Sequence, residues 1–566
     1  MKPELLGITT IFLLTALSAI PLGKYCSKVF KSEKTWFDFL APLERLIFKL
    51  SSVNPDKGMD WKENMRAMLS VNVIFFVLAM IILLTQSWHP FLNPDGIASM
   101  EPTTAFNTAM SFMTNTNLQH YSGESGASYL TQLLVFCFLQ FVSAGTGIAA
   151  MALLFRGIVQ RQASDLGNFY YLLVKSCTRI LLPVSLVIAV ILIWEGTPST
   201  FKGAETVITM AGDTVHVARG PVERMVAIKE VCTNGGGYFC PNSNHPFENP
   251  TYLSNMVENI AIILIPIALV FAFGFYINRP KVGFAFFSAM SVLFISFASL
   301  SVYFEINGNP MITKMGINNS LGNMEGKEVR FGAAASAFWG VSTTSTSNGS
   351  VNSMHDSHTP LSGGIFLLDM MINAVYGGVG VGFINFFVFV VISVFISGLM
   401  VGRTPELFGK KIEAREVKIA ALVAIAHPFF VLTGTAIASY IHAKHPDIGW
   451  LNNPSFHGFS EILYEFTSSA ANNGSGFEGL GDATPFWNVG CGFVMLLGRF
   501  IPIIGPLAIA GSLASKKYIP EGAGTLRVDS IAFTAVLLAV IIIIAALAFF
   551  PALTLGPIAE YLFTHA

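Results

Sequence analysis

The sequence predicts an all-α polytopic membrane protein. Ten transmembrane helices are expected, with four parallel helix–pore-loop–helix repeats around a pseudo-fourfold axis. Three observations lead there. Ten apolar runs each reach the roughly 20 residues that a helix needs to cross a bilayer. Only 12% of the 566 residues are charged and 53% are hydrophobic, whereas a soluble domain carries about 25% charged residues. Four loops on one side of the chain each hold a short helix-like stretch that runs into small polar residues. A soluble enzyme, a disordered chain and a nucleic-acid binder are excluded, since a net charge of -1 offers no basic field for a polyanion.

In chain order the runs are Leu5–Leu22, Ala67–Thr85, Tyr129–Phe155, Leu172–Trp194, Asn255–Ile277, Gly283–Phe304, Phe366–Met400, Val417–Ile441, Phe486–Ala514 and Ser530–Leu555. The first has a signal-peptide look, with Ala16-Leu17-Ser18-Ala19 resembling a cleavage site. Residues 23–66, however, hold nine Lys and Arg, and basic loops stay cytoplasmic. The run therefore reads as a retained first helix with its N-terminus outside. The same rule places inside the loops with Arg156 and Arg161; Arg279 and Lys281; Arg403, Lys410, Lys411 and Arg415; and Lys516, Lys517 and Arg527. The loop from Gln86 to Ser128 has no Lys or Arg, and that from His442 to Pro485 has Lys444 alone. With an even number of spans, both termini lie outside. The resulting organisation is an extra helix and basic loop (1–66), pore repeats at 67–155, 172–277, 283–400 and 417–514, and an extra tenth helix with a short tail (530–566).

The four outer loops carry the functional signal. Thr104–Met113 is followed by Thr114-Asn115-Thr116-Asn117, and Val222–Val231 by Cys232-Thr233-Asn234-Gly235-Gly236-Gly237. Phe331–Val341 precedes a polar run from Ser342 that ends Thr346-Ser347-Asn348-Gly349, and Ser460–Thr467 one from Ser468 that ends Ala471-Asn472-Asn473-Gly474. Aligned at Asn117, Gly236, Gly349 and Gly474, the spacings are 119, 113 and 125 residues. All four enter from the same side, so the repeats are parallel. Irregular backbone at membrane depth is tolerated only inside protein or beside water, a condition that a central pore meets. A short helix descending from outside points its partially negative C-terminus inward, towards a cation. The segments hold no carboxylate, and neutral carbonyl, hydroxyl and amide oxygens suit a monovalent ion, potassium foremost. A single hairpin of this kind could be an ordinary Gly/Asn/Ser turn; four same-side copies argue for a pore.

Several segments add a resemblance over essentially the whole chain: TNTNLQHYSGE (Thr114–Glu124), CTNGGGYF (Cys232–Phe239), HPFENPT (His245–Thr251), YGGVGVG (Tyr376–Gly382), GLMVGRTPE (Gly398–Glu406), SSAANNGSGF (Ser468–Phe477) and AIAGSL (Ala508–Leu513). The chain resembles the KdpA family, the potassium-binding A subunits of Kdp potassium-transporting P-type ATPases. The resemblance implies a potassium-channel-like core of the potassium-transporter superfamily in a bacterial inner membrane. It implies a filter that takes K+ from outside, and a lateral intramembrane tunnel towards the ATPase subunit KdpB, with KdpC and the small KdpF completing the complex. By position, Asn117, Gly236, Gly349 and Gly474 mark that filter, and Gln119 matches a Gln that supports affinity and selectivity. Arg499 matches an Arg below the filter, and Gly377-Gly378-Val379-Gly380 a flexible break in the third repeat. There is one departure: the family often carries an acidic residue where Asn373 sits, and Asp369, one turn earlier, is the candidate substitute.

The remaining residues fit around this reading. An Arg at mid-span such as Arg499 is costly and usually functional; the alternative is a structural Arg paired with a carboxylate or with helix carbonyls. The glycines at 377, 378, 380 and 382 either break the helix into a gating loop or allow close helix packing. Lys175 and Arg179 read as snorkelling near a helix end, and Glu461 and Glu465 as solvated or paired. His355-Asp356-Ser357-His358 has metal-ligand spacing but reads as a polar loop. Cys232 and Cys240 share a loop, as a disulfide or as free thiols, and no CxxC pair is present. No P-loop occurs, and Asn54-Pro55-Asp56-Lys57-Gly58 lacks the Asp-Lys-Thr-Gly that P-type ATPases phosphorylate, so no nucleotide chemistry is expected on this chain. The expected ligands are potassium as the only metal, together with membrane lipid. Two other classes stay open: a self-sufficient potassium channel or uniporter of Trk/Ktr/HKT type, with the same core and usually eight spans, and a membrane-embedded enzyme, for which no nucleophile, base or metal cluster is evident.

Overall fold

The computed structural model describes residues 3–400, 402, 404–520 and 527–565. Val401 and Arg403, within the GLMVGRTPE segment, lie outside the described residues. Ten helices are long and apolar enough to cross a membrane. In order, these spans are Pro3–Phe30, Trp61–Thr85, Tyr129–Val159, Phe169–Glu195, Tyr252–Tyr276, Pro280–Asn307, Val381–Met400, Ala414–Lys444, Pro485–Ser515 and Ile531–Leu553. At about 1.5 Å per residue, even the shortest, with 20 residues, gives roughly 30 Å. The seventh span is preceded by a separate helix, Pro360–Ile372, so the long apolar run of the third repeat is broken where the glycines fall.

Burial separates an inner set of helices from an outer one. The third and fifth spans are buried along 78% of their most apolar stretch, the first and eighth along only 17% and 22%. The outer faces carry Leu13, Leu17, Ile74, Leu78, Ile542 and Leu547 exposed, as expected of surface solvated by lipid rather than water. The first span packs along the fifth. Gly23 permits this, because a methyl there would sit 2.5 Å from the Ala268 carbonyl oxygen.

The first helix continues to Phe30, so Lys24, Lys28 and Cys26, expected in a loop, are helical. On this basic face a short amphipathic helix, Ala41–Leu50, buries Glu44 and exposes Leu43, Leu46 and Leu50. Glu44 corrects the snorkelling expectation. Its carboxylate accepts from Arg179 Nε (2.7 Å) and NH2 (2.8 Å), from Lys175 Nζ (2.5 Å) and from the Thr178 hydroxyl (2.9 Å). Burial alone would raise the Glu44 pKa, but these donors outweigh it and hold it down at about 2.

The opposite, hairpin face receives the four pore helices, Pro102–Met113, Val222–Val231, Gly332–Ser345 and Ser455–Ala471. It also carries an exposed two-stranded ribbon, Glu205–Ile208 with Thr214–Val217. The second pore helix has the expected bounds. The third and fourth run further towards the axis than expected and take Ser342–Ser345 and Ser468–Ala471 into helix. Their hydroxyls fold back on the preceding turn, as Ser342 Oγ on the Phe338 carbonyl (2.9 Å), Thr344 Oγ1 on Gly340 (2.9 Å) and Thr467 Oγ1 on Leu463 (2.6 Å), a local bond that lets Ser and Thr sit inside a helix.

Candidate functional site

Each pore helix ends in a four-residue segment, and the four share one backbone conformation. Left-handed φ values recur two residues apart: Asn115 and Asn117 (59°, 54°), Thr233 and Gly235 (44°, 77°), Ser347 and Gly349 (48°, 92°), Asn472 and Gly474 (53°, 103°). Gly and Asn tolerate this region, whereas a β-branched Thr233 there is strained. The third N–H of each segment turns back onto the pore helix six residues before the segment's end. Thr116 bonds the Ser111 carbonyl (2.9 Å), Asn234 that of Lys229 (3.0 Å), Asn348 that of Thr343 (3.0 Å) and Asn473 that of Ser468 (2.9 Å). The fourth N–H bonds the same residue, at its carbonyl for Asn117 (3.4 Å) and Gly235 (3.3 Å) and at its hydroxyl for Gly349 (2.8 Å) and Gly474 (2.9 Å). With the N–H groups directed outward, the carbonyls of Thr116, Asn117, Asn234, Asn348, Gly349, Asn473 and Gly474 accept no hydrogen bond among the described residues.

The conformation moves the sequence register by one position in the second repeat: Gly235, not Gly236, is the counterpart of Asn117, Gly349 and Gly474. The four segments close into a ring. A methyl at Gly235 would lie 2.1 Å from the Asn348 carbonyl oxygen, one at Gly349 2.3 Å from that of Asn473, and one at Gly474 2.0 Å from that of Thr116. Gly236 closes the circuit against the Asn117 carboxamide at 2.6 Å, which is itself buried with no hydrogen-bond partner. Side chains cross-link each segment to a neighbouring repeat. Asn234 Nδ2 donates to Asn115 Oδ1 (3.1 Å), Asn348 Nδ2 to the Lys229 carbonyl (3.2 Å), Asn473 Nδ2 to that of Thr343 (2.8 Å), and Thr116 Oγ1 accepts from Asn472 Nδ2 (2.9 Å). Thr114, Cys232, Thr346 and Ala471 open the four segments and are buried. Cys232 and Cys240 are both free thiols.

On the hairpin side, Gln119 bridges the first and second repeats by holding both the N–H and the carbonyl of Gly237, each at 3.2 Å. Nearby, buried His120 bonds Glu465 (3.0 Å) and Asn488 (2.7 Å). Burial alone would lower the imidazole pKa, but Asp482 and Glu465 outweigh it and hold it up at about 9. The sequence signals neither this network nor Ser111, Lys229, Thr343 and Ser468; a four-way alignment in the corrected register lines the last set up.

On the other side of the ring lies the broken stretch of the third repeat. Gly377 N–H bonds the Ser345 carbonyl (2.8 Å), and Val379 N–H the Thr233 hydroxyl (2.9 Å). A methyl on Gly378 would meet Ser347 Cβ at 3.5 Å and Arg499 NH1 at 3.9 Å, and Gly380 abuts Gly147 backbone. Arg499 is 2% exposed. It donates to the Ser143 carbonyl (2.9 Å), and no carboxylate lies within ion-pair distance among the described residues. Asp369 and Asn373 occupy different places. Asp369 accepts from Thr344 (3.0 Å) and Ser345 (2.5 Å) on the third pore helix. Asn373 accepts from Ser347 (3.1 Å) and donates to the Ala471 carbonyl (3.4 Å), so Asp369 does not stand in for an acid at 373. Asn373 also lines a small, mostly apolar cavity between the later spans, with Ile372, Asn385, His427, Pro502 and Phe549.

Neutral backbone oxygens without hydrogen-bond partners, gathered between four hairpins, are chemically suited to a monovalent cation. The profile of the KdpA family, described as "Potassium-transporting ATPase A subunit", matches residues 9–562. The chain belongs to the KdpA family. The potassium-transporting ATPase potassium-binding subunits of Flavobacterium psychrophilum and Flavobacterium johnsoniae are 57% and 58% identical to it, over 99% of this chain and 99% of each relative. That of Alicyclobacillus acidocaldarius is 48% identical over 98% of this chain and 99% of the relative. Among solved structures, the potassium transporter TrkH of Vibrio parahaemolyticus shares the fold with a TM-score of 0.50. It is 15% identical and covers 90% of this KdpA-family chain and 98% of its own.

Proposed function

We propose that this chain is the potassium-selecting, non-catalytic subunit of an ATP-driven importer. It sits in a bacterial inner membrane with the hairpin face and both termini outside, and the pore repeats are 67–155, 172–277, 283–400 and 417–514. The observation that carries the reading is the closed ring, in which seven backbone oxygens of the four segments accept no hydrogen bond among the described residues. Dehydrating a monovalent cation costs tens of kcal/mol, and only a ring of oxygens replaces the lost water. Asn117, Gly235, Gly349 and Gly474 hold the segments close enough to form it, and Gln119 braces its outer rim.

Below the ring, Arg499 opposes straight passage. At an effective dielectric of ~20, a guanidinium repels a monovalent cation by roughly 2 kcal/mol once the two come within about 8 Å. The cavity that Asn373 lines offers a lateral way out, towards a KdpB partner that hydrolyses ATP, with KdpC and KdpF in the same complex. The Asn373–Gly380 stretch, tied to Ser345 and Thr233, is the gating element of this path.

The test is potassium uptake at micromolar external potassium in cells without other uptake systems, with the chain expressed alone and with its ATPase partner set. Uptake that needs the partners and disappears in Gly235→Asp supports the proposal. Uptake by the chain alone, driven by membrane potential, makes it a channel of the Trk type and overturns the pump-subunit reading.

A further inference from the structure

A second constellation lies on the hairpin face, apart from the ring. Asp356 stands in the turn His355–Ser357, His457 and Glu461 are one turn apart on the fourth pore helix, and Glu560 is on the C-terminal helix Ala559–His565. Donor atoms of Asp356, His457 and Glu461 lie within 4.8 Å of one another. His457 Nε2 is 2.9 Å from Asp356 Oδ1, and its Nδ1 is 2.9 Å from Glu560 Oε1. Asn453 Nδ2 donates to Glu461 Oε1 (2.8 Å) and Asp356 Oδ2 (3.3 Å). Gly479 backs onto the pair, and a methyl there would fall 2.3 Å from Glu461 Oε1 and 2.8 Å from Asp356 Oδ2. Glu461 is 0% exposed, and its Oε2 has no hydrogen-bond partner. A buried, half-satisfied carboxylate beside a second one is costly unless it takes up a proton or shares a cation with its neighbour.

We propose that Asp356, His457 and Glu461 bind a divalent transition-metal ion, zinc being the best match, with Glu560 orienting the imidazole. One ring nitrogen and two carboxylates are borderline-hard donors of the kind zinc accepts, with water able to complete four-coordination. The metal replaces the proton between His457 Nε2 and Asp356, and that proton leaves to solvent. Nδ1–H then donates to Glu560, the carboxylate–histidine–metal arrangement that fixes a ligating ring. His355 and His358, the residues that gave the sequence its metal-like spacing, are not ligands. His355 bonds the Tyr464 hydroxyl (2.9 Å), and His358 bonds Ser353 (3.0 Å) and faces Glu305 at 3.5 Å. Bound metal joins three elements distant in sequence, the third repeat's outer loop, the fourth pore helix and the C-terminal helix. It also pins residue 479, five positions beyond the ring's Gly474.

The experiment uses the purified full chain in its complex, stripped by chelator dialysis and titrated with zinc chloride, with magnesium as control. One zinc per chain is expected, with a zinc-dependent rise in melting temperature. Affinity should fall at least ~100-fold in His457→Gln and in Glu461→Gln, and ~10-fold in Glu560→Gln. His120→Gln, in the other His–carboxylate cluster, should keep the stoichiometry. Wild-type-like binding in both ligand variants, loss in His120→Gln instead, or no zinc-dependent shift overturns the site. If the variants do not fold, zinc-edge absorption of the wild-type complex decides: one imidazole nitrogen among oxygen ligands supports the site, and an all-oxygen or thiolate shell overturns it.

Discussion

Four repeats build the ring from the same parts: a backbone hydrogen bond from the third N–H to the carbonyl five residues back, paired left-handed positions, and side-chain cross-links to a neighbouring repeat. The layer beneath is built from single parts, with the Asn373–Gly380 stretch from the third repeat alone and Arg499 from the fourth alone. The difference separates two tasks. Holding a spherical ion calls for equal oxygens on all sides, whereas sending it one way calls for unequal walls. A symmetric lower layer would conduct straight through, and an asymmetric ring would hold the ion less well.

The largest expected effect comes from breaking the ring at a point of closest approach. Gly235→Ala sets a methyl 2.1 Å from the Asn348 oxygen at a φ of 77°, so apparent potassium affinity in transport should fall by ~100-fold or more. An affinity within threefold of wild type would mean that the ring is not the binding element. Next is the lower layer. Arg499→Gln removes an obstacle of roughly 2 kcal/mol, so ATP-independent potassium flux should rise about 30-fold in proteoliposomes; an unchanged flux would remove Arg499 from the routing role. The cross-links test the symmetry itself. Asn234→Ala, Asn348→Ala and Asn473→Ala each break a cross-link worth about 1–2 kcal/mol and should weaken affinity roughly tenfold or more; the effect should be larger at 348 and 473, whose carboxamide oxygens also accept from Ser350 and Ser475. A tenfold difference between Asn348→Ala and Asn473→Ala would show that the segments share a shape without sharing the load.

The smallest effect is the pH response of the one titratable brace at the rim. The His120 pKa is raised from 6.5 to about 9. Its stabilising contribution is therefore complete below about pH 6.5 and lost as pH climbs through about 9. Melting temperatures of wild type and His120→Gln should differ most at about pH 6 and converge towards pH 10. A gap that widens with pH would reverse the assigned charge.

The spans, the four hairpins and the segments themselves were legible, because apolar length and repeated Thr/Ser/Asn/Gly clusters survive without context. The register of the second segment was not. Three consecutive glycines, Gly235-Gly236-Gly237, give no local reason for one rather than another to take the left-handed position, and packing against Asn348 decides it. The lengths of the third and fourth pore helices were hidden for a related reason: Ser and Thr read as loop formers, while their hydroxyls can equally bond back within a helix. The Glu44–Lys175–Arg179 network joins residues more than 130 positions apart. Arg499 was conspicuous by its cost, but its lack of a carboxylate partner is a property of three dimensions.

Hydrogen bonds cross between the two layers: Asn373 accepts from Ser347 and donates to the Ala471 carbonyl, and the Thr233 hydroxyl accepts the Val379 N–H. Thr233 holds a strained left-handed φ within the ring, and Val379 lies in the broken stretch below. Occupancy above and posture below are thereby thermodynamically linked. If an ion in the ring favours one arrangement of the stretch by some factor, that arrangement must favour the ion by the same factor. Whatever resets the lower stretch during a transport cycle therefore also sets how tightly the next ion is held.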